Sequence, residues 1–398
     1  MNNRDTATRL PDMFSEDERH TLCCARQGLL RLHPVGQLLT DRESADSWRS
    51  RIIANTDSAV RQAAALNQPW LERQKQRLLD TKDFSTPAGA LAEIRAFGAL
   101  TEAHFSVRPI KEGNVKTTDF AVSIGDAQVA VEVVAKQIDP KMQKALEKIL
   151  SRQQEELRRR ASAADMRAQS KGNVLVGHGS YEPFGGVDSS KPGDSLRANA
   201  ISRIRRIEDD KEEQLPRDEP TVLWVDFQDD AWALVVGAGE AFPVTASRGR
   251  VTSGLLWYAH YGWKGAPIME HQGSAYDRRT VLMGHQGKFR DKTKLATVII
   301  SCPATTILFE NPSANIPLPD SFRRQCLWLR SFESQASIAN WTPDLAQRTV
   351  NLQAEQICYS AEALIAIGAF TRQVDPQLDP ILKTINSQLQ PPPKFPKT

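Results

Sequence analysis

Three acidic residues and one lysine in the first part of the chain have types and spacings that suit metal-dependent hydrolysis. Glu93 lies in a predicted helix, Asp119 opens a predicted strand, and Glu132 interrupts an otherwise apolar strand. Alternation along that strand places Glu132 and Lys136 on the same face. Mg²⁺ takes one or two carboxylates together with phosphate oxygens and lowers the pKa of a bound water, and a nearby lysine orients that water or offsets phosphate charge. The chemistry that these residues predict is phosphodiester hydrolysis.

The helix that carries Glu93 is predicted from about Pro87 to His104, after capping residues and a proline suited to a first helical turn. At 100° per residue, Arg95 and Glu102 share one face, which we expect to meet solvent, while Glu93 falls on the opposite, apolar face. A carboxylate turned inward needs a cation, a metal or hydrogen-bond donors. The alternative is a helix solvated on both sides.

Strands are predicted around this helix by β-branched, alternating segments. They cover residues 105–109, 119–124, 128–136, 173–177, 220–227, 231–236 and 297–301, with helices at 140–169 and 195–214 and a turn at Gly125-Asp126 between the second and third strands. The predicted fold class is therefore α/β. The predicted domains are a helical region over residues 1–83, the α/β core over 84–310, a helical region over 311–390 and a Pro-rich tail over 391–398.

A helix with Glu93, a strand with Asp119 after Thr-Thr, and a hairpin partner with Glu132 together resemble the PD-(D/E)XK nuclease superfamily. The resemblance implies a restriction-endonuclease-like core, which is a mixed sheet with helices on both faces. It also implies Mg²⁺ or Mn²⁺ held by Asp119, Glu132 and Glu93, and DNA as the preferred substrate over RNA. It also suggests a role in restriction or anti-phage defence. Val134 stands where the superfamily has lysine, so that role passes to Lys136, two residues along the same face, with Lys116 as the alternative donor.

Basic residues after the hairpin are candidates for contacts with nucleic-acid phosphates. One stripe at helical spacing and a second cluster supply them: Lys141, Lys144, Lys148 and Arg152, then Arg203, Arg205 and Arg206. The alternative is a solvated surface helix, because glutamates are interleaved with the lysines of the first stripe. The net charge of +3, from 51 Lys+Arg and 48 Asp+Glu, does not by itself indicate a nucleic-acid partner.

Composition limits the remaining possibilities. With 398 residues, 25% charged and 40% hydrophobic, the chain is not typical of a fibrous or largely disordered protein. Its five cysteines contain no CxxC pair, so neither a disulfide framework nor a zinc ribbon is indicated. No apolar segment approaches the roughly 20 residues that span a bilayer, so we expect a cytoplasmic protein without a membrane partner.

Two functions remain open at this point. The first is a metal-dependent endonuclease, plausible as a homodimer because two sites related by two-fold symmetry cut both strands of a duplex. The second is a non-catalytic nuclease-like module that binds nucleic acid or a protein partner. Val134 in place of lysine favours the second function.

Overall fold

A computed structural model gives the architecture of two compact units. It describes residues 9–28, 31–43, 47–110, 117–136, 155, 196–211, 215–216, 218–228, 232, 236–241, 245–247, 250–252, 254–262, 264, 267–271, 278–291 and 294–332. The first unit comprises Met1–Ala99, Ala135–Gly186 and Asp226–Leu234, and the second comprises Leu100–Val134, Val187–Val225 and Val235–Thr398. Each unit combines segments from distant parts of the chain.

Helices dominate the described part of the first unit. They are α1 (Glu16–Cys24), α2 (Pro34–Thr40), α3 (Ser47–Leu78) and α4 (Ser85–Glu102), the last of which ends in the second unit. A short hairpin of β1 (Arg26–Gln27) and β2 (Arg31–Leu32) separates α1 from α2. The described part of the predicted helical region over 1–83 is therefore mainly helical.

Helix α3 is broken by a kink at Asn67, whose backbone leaves the helical region (φ −152°, ψ 63°). Pro69 has no amide hydrogen to donate to the preceding helical turn, so the helix cannot continue through this point without a break. Asn67 Oδ1 accepts a hydrogen bond from the Trp70 amide at 3.2 Å and so caps the second segment. The kink divides α3 into two helical segments within the helical region predicted over residues 1–83.

Helices α3 and α4 pack closely where a glycine removes a side chain. A Cβ added to Gly98 would overlap Ala59 of α3, so the two backbones approach more closely than larger residues would permit. Near this crossing the rings of Trp70 and Phe97 lie 4.8 Å apart between centroids. This packing fixes the helix that carries Glu93.

Helix α2 begins at a buried histidine. His33 Nδ1 accepts a hydrogen bond from the Gly36 amide at 3.4 Å, and Nε2 lies 3.1 Å from the Asp80 carbonyl oxygen. These partners assign the proton of a neutral ring to Nε2. The ring also meets Phe84 edge-on, with centroids 5.0 Å apart. Burial lowers the pKa of the His33 imidazole, so the neutral form is favoured.

The second unit contains a six-stranded sheet. The twelve strands of the described chain continue from β3 (Ser106–Pro109) through β4 (Phe120–Ile124), β5 (Ala127–Ala135), β6 (Thr221–Asp226), β7 (Thr245–Ser247), β8 (Arg250–Thr252), β9 (Pro267–His271), β10 (Arg278–Leu282) and β11 (Thr297–Ser301) to β12 (Thr306–Glu310). The sheet has the order β12-β11-β6-β5-β4-β3, while β7 pairs with β8 and β9 with β10 in two separate hairpins.

The sheet is mixed. Strands β3, β4 and β5 form an antiparallel meander, and β11 pairs antiparallel with β12. Strands β5 and β6 run in parallel, because Ala130 donates to the Pro220 carbonyl and Lys136 to the Asp226 carbonyl, six residues further along both strands. Every residue of β6 is buried, as its apolar run predicts. The α/β class and the mixed sheet are confirmed.

Four further helices are described in the second unit: α5 (Leu196–Lys211), α6 (Leu255–Tyr261), α7 (Lys288–Asp291) and α8 (Asp320–Gln325). Helix α6 packs on β12, where His260 stacks on Phe309 with ring centroids 4.4 Å apart. Helix α8 packs on the meander side through Phe322 and Phe105, whose ring centroids lie 4.7 Å apart.

At Trp232, within the predicted strand 231–236, the backbone is helical, which corrects that prediction.

Candidate functional site

Asp119 and Glu132 lie next to the last residue pair of the β4–β5 hairpin. The antiparallel register ends with Phe120 opposite Val131, and Asp119 and Glu132 are the neighbours of these two residues in the chain. The other end is closed by Gly125, whose positive φ of 55° suits the two-residue turn. Turn and pairing together fix the register of the hairpin up to this last pair.

The Asp119 carboxylate is engaged by the neighbouring strand. Its Oδ2 accepts a hydrogen bond from the Val133 amide at 2.7 Å, and Val133 is 6% exposed. If the pairing of β4 and β5 continued, a backbone carbonyl of β4 would accept a hydrogen bond from the Val133 amide. The Asp119 side chain accepts this hydrogen bond in place of that carbonyl. The carboxylate therefore has a local structural role, whatever else it binds.

Glu132 is buried in the middle of an apolar strand. It is 2% exposed, and β5 is buried continuously from Val129 to Val133. A carboxylate is costly to desolvate, and a hydrophobic residue of similar size would fill such a position without that cost. Glu132 is therefore the acidic residue of the hairpin whose type is hardest to explain by packing.

Glu93 is buried, as predicted, and its charge is met by a cation. Arg77 Nη1 donates to both Glu93 oxygens at 2.7 Å, and Gln74 Nε2 donates to Oε2 at 2.9 Å. The Glu93 side chain is 12% exposed. Of the three partners that the sequence left open for this carboxylate, the structure supplies a cation and a hydrogen-bond donor.

The predicted solvent face of α4 is wrong at Arg95. Its side chain is 10% exposed, and Nη1 lies 3.3 Å from Asp226 Oδ2 at the end of β6. Arg95 Nε also donates to Thr56 Oγ1 at 2.9 Å, and the Gln228 amide donates to Asp226 Oδ1 at 2.8 Å. Asp226 is not among the site residues predicted from the sequence. Its signal was an acidic residue at the carboxyl end of a fully buried strand.

Lys136 is the first residue after β5. It is half-buried, and its backbone amide continues the parallel pairing by donating to the Asp226 carbonyl at 3.0 Å. Because this pairing preserves extended alternation, Lys136 follows Glu132 and Val134 along one side of the chain.

Most of the predicted basic residues lie outside the described part of the chain. These are Lys116, Lys141, Lys144, Lys148 and Arg152. The second cluster lies on α5, where Arg203 and Arg205 are half-buried and Arg206 is exposed. Only this helix places predicted phosphate contacts in the described structure.

The described residues contain no group of three or more His, Cys, Asp or Glu side chains arranged to hold a metal ion. Among the described helices, none has the length and apolar character needed to cross a membrane. No protein-family model matches the chain, and no curated protein or solved structure is significantly similar to it.

Proposed function

We propose that the protein is a metal-dependent nuclease of the restriction-endonuclease-like class that hydrolyses phosphodiester bonds, preferably in DNA. The observation that carries the proposal is the placement of Asp119 and Glu132 next to Phe120 and Val131, the last residue pair at the open end of the β4–β5 hairpin. Two carboxylates at adjacent strand positions suit Mg²⁺ or Mn²⁺, which completes its shell with water and phosphate oxygens. Parallel β6 beside the meander also fits the mixed core that the resemblance implies.

In the proposed reaction each residue has a separate task. Asp119 and Glu132 would hold the metal, and a bound metal would supply Lewis-acid polarisation of the phosphate and a more acidic water. Lys136 offsets the negative charge that builds on the phosphate, or orients the water. Glu93, whose carboxylate binds Arg77, supports the helix that carries it.

A second candidate function is a nuclease-like module without catalysis. It is favoured by the engagement of Asp119 with the Val133 amide and of Glu93 with Arg77, together with Val134 at the usual lysine position. In that case the carboxylates stabilise the fold, and the protein binds nucleic acid or a protein partner.

A cleavage assay with matched variants separates these functions. Plasmid, single-stranded DNA and RNA are each incubated with Mg²⁺, Mn²⁺ or EDTA. Asp119→Asn keeps an oxygen that accepts from Val133 but removes the charge, so it should retain stability and lose cleavage by about 10²-fold or more. Glu132→Gln should likewise retain stability and lose cleavage activity by about 10²-fold or more. Lys136→Ala should lower the cleavage rate about 10²–10³-fold.

The control is Asp126→Asn at the exposed turn of the same hairpin, which changes the same charge at the opposite end and should cleave normally. If Asp119→Asn and Glu132→Gln cleave like the unmodified protein, the site assignment is wrong. If the unmodified protein cleaves none of the substrates with either metal, the non-catalytic function replaces the nuclease.

A further inference from the structure

The last turn of α1 exposes a histidine and a cysteine side by side. His20 and Cys24 are four residues apart, and Cys24 Sγ lies 3.7 Å from His20 Nε2. Both residues are exposed, and Cys24 is a free thiol. Neither residue belongs to the proposed nuclease site, so their juxtaposition has a separate explanation.

The distance between the two donor atoms fits chelation of one metal ion. Zn–S bonds of about 2.3 Å and Zn–N bonds of about 2.0–2.1 Å, at a tetrahedral angle, place sulfur and nitrogen about 3.5–3.6 Å apart. The observed separation of 3.7 Å is almost the same. Residues at i and i+4 share a helix face, so α1 presents both donors without a change of backbone.

The surroundings of Cys24 also favour metal binding. Cys24 is exposed, so a metal ion can reach its sulfur from solvent, and the thiol proton leaves to solvent as the metal binds.

The other described cysteines are poor ligands by comparison. Cys23 is half-buried, and its Sγ lies 3.8 Å from the Gly36 carbonyl oxygen. Cys302 and Cys326 are buried, and burial raises the pKa of the Cys326 thiol so that it stays protonated. Cys23 thus provides a matched control on the same helix turn.

We propose that His20 and Cys24 form a binding site for a thiophilic divalent cation, with Zn²⁺ as the best match to one thiolate and one imidazole. Two protein donors leave the remaining positions to water or to a donor from another molecule. Binding links the last turn of α1, so it should also slow exchange of the Ala25 amide, which donates to the Thr21 carbonyl at 3.0 Å.

The test measures alkylation of individual cysteines in the full chain by iodoacetamide and peptide mass spectrometry, with zinc chloride as the probe. Equimolar zinc should slow alkylation of Cys24 at least about tenfold, and His20→Gln should remove most of that protection. Cys23→Ser should leave Cys24 protection unchanged. Exchange at the Ala25 amide should slow with zinc in the unmodified protein and not in Cys24→Ser.

Two results would overturn the site. One is equal protection of Cys24 in His20→Gln, which would show a thiolate binding zinc without the imidazole. The other is protection that needs a large excess of zinc and leaves the Ala25 amide unaffected, which would show adventitious binding only. Circular dichroism of each variant checks that α1 and the other helices remain folded.

Discussion

Asp226→Asn tests how much the buried ion pair with Arg95 stabilises the first unit. Asparagine keeps an oxygen that can accept from the Gln228 amide, but it removes the negative charge 3.3 Å from Arg95 Nη1. The Arg95 and Asp226 side chains are 10% and 3% exposed, so water replaces little of the lost attraction. Removing one partner of a buried pair costs about 3–5 kcal/mol. Because Arg95 keeps its bond to Thr56, we expect the lower end, about 3 kcal/mol.

The matched control is Glu102→Gln, which breaks an exposed pair by the same chemical change. Arg330 Nη2 contacts both Glu102 oxygens at 2.6 and 2.9 Å, but these side chains are 36% and 37% exposed. Exposed pairs contribute about 0–1 kcal/mol, so this variant should lose less than about 1 kcal/mol.

Urea denaturation followed by hydrogen exchange and mass spectrometry measures both losses and reports each unit separately. Peptides from α4 and β6 should lose protection in Asp226→Asn at lower urea than in the unmodified protein. If Asp226→Asn costs no more than Glu102→Gln, burial of the Arg95 pair does not strengthen it, and our reasoning about this contact is wrong.

Two further predictions use urea midpoints. Gly98→Ala should destabilise the protein by about 1–3 kcal/mol because the added Cβ overlaps Ala59. The control Gly89→Ala adds a Cβ that meets only the flexible Arg77 side chain, at 3.4 Å, so it should be neutral or stabilise by up to about 1 kcal/mol. Equal urea midpoints for the two variants would refute the close α3–α4 contact. Burial lowers the pKa of His33 below its ordinary value of about 6.5. The contribution of neutral His33 to the free energy of unfolding is therefore fully present above about pH 6.5, and it is lost as the pH falls through the lowered pKa. His33→Asn keeps a capping oxygen without titrating and should flatten this decline; an unchanged decline would exclude His33 as its cause.

The hairpin could be predicted because its signals are local. Alternating apolar residues define β4 and β5, and Gly125-Asp126 supplies a turn that only a few residue types form. A one-residue slip would expose buried side chains, so periodicity and turn together fix the register. That register ends at Phe120 and Val131, the neighbours of Asp119 and Glu132 in the chain.

The exposure of the charged side chains of α4 could not be predicted from local signals. A helical projection assigns Arg95 and Glu102 to solvent by their charge, but Arg95 meets Asp226, which lies 131 residues later in the chain. Only tertiary pairing decides whether a charged face is solvated or buried against an opposite charge. The inward position of Glu93 was predictable, whereas Arg77 as its partner required the packing of α3 against α4.

Residue type separates the structural and chemical roles of the two hairpin acids. At position 119 an oxygen that accepts from the Val133 amide is enough for the fold, and asparagine would provide one without charge. At position 132, in a strand buried on both sides, an aliphatic residue would pack without the desolvation cost of a carboxylate. A divalent cation shared by the two carboxylates would offset that cost together with any repulsion between them. For this reason Glu132→Gln is the more decisive of the two variants: stabilisation without loss of any cleavage activity would remove the main physical argument for a metal at this end of the hairpin.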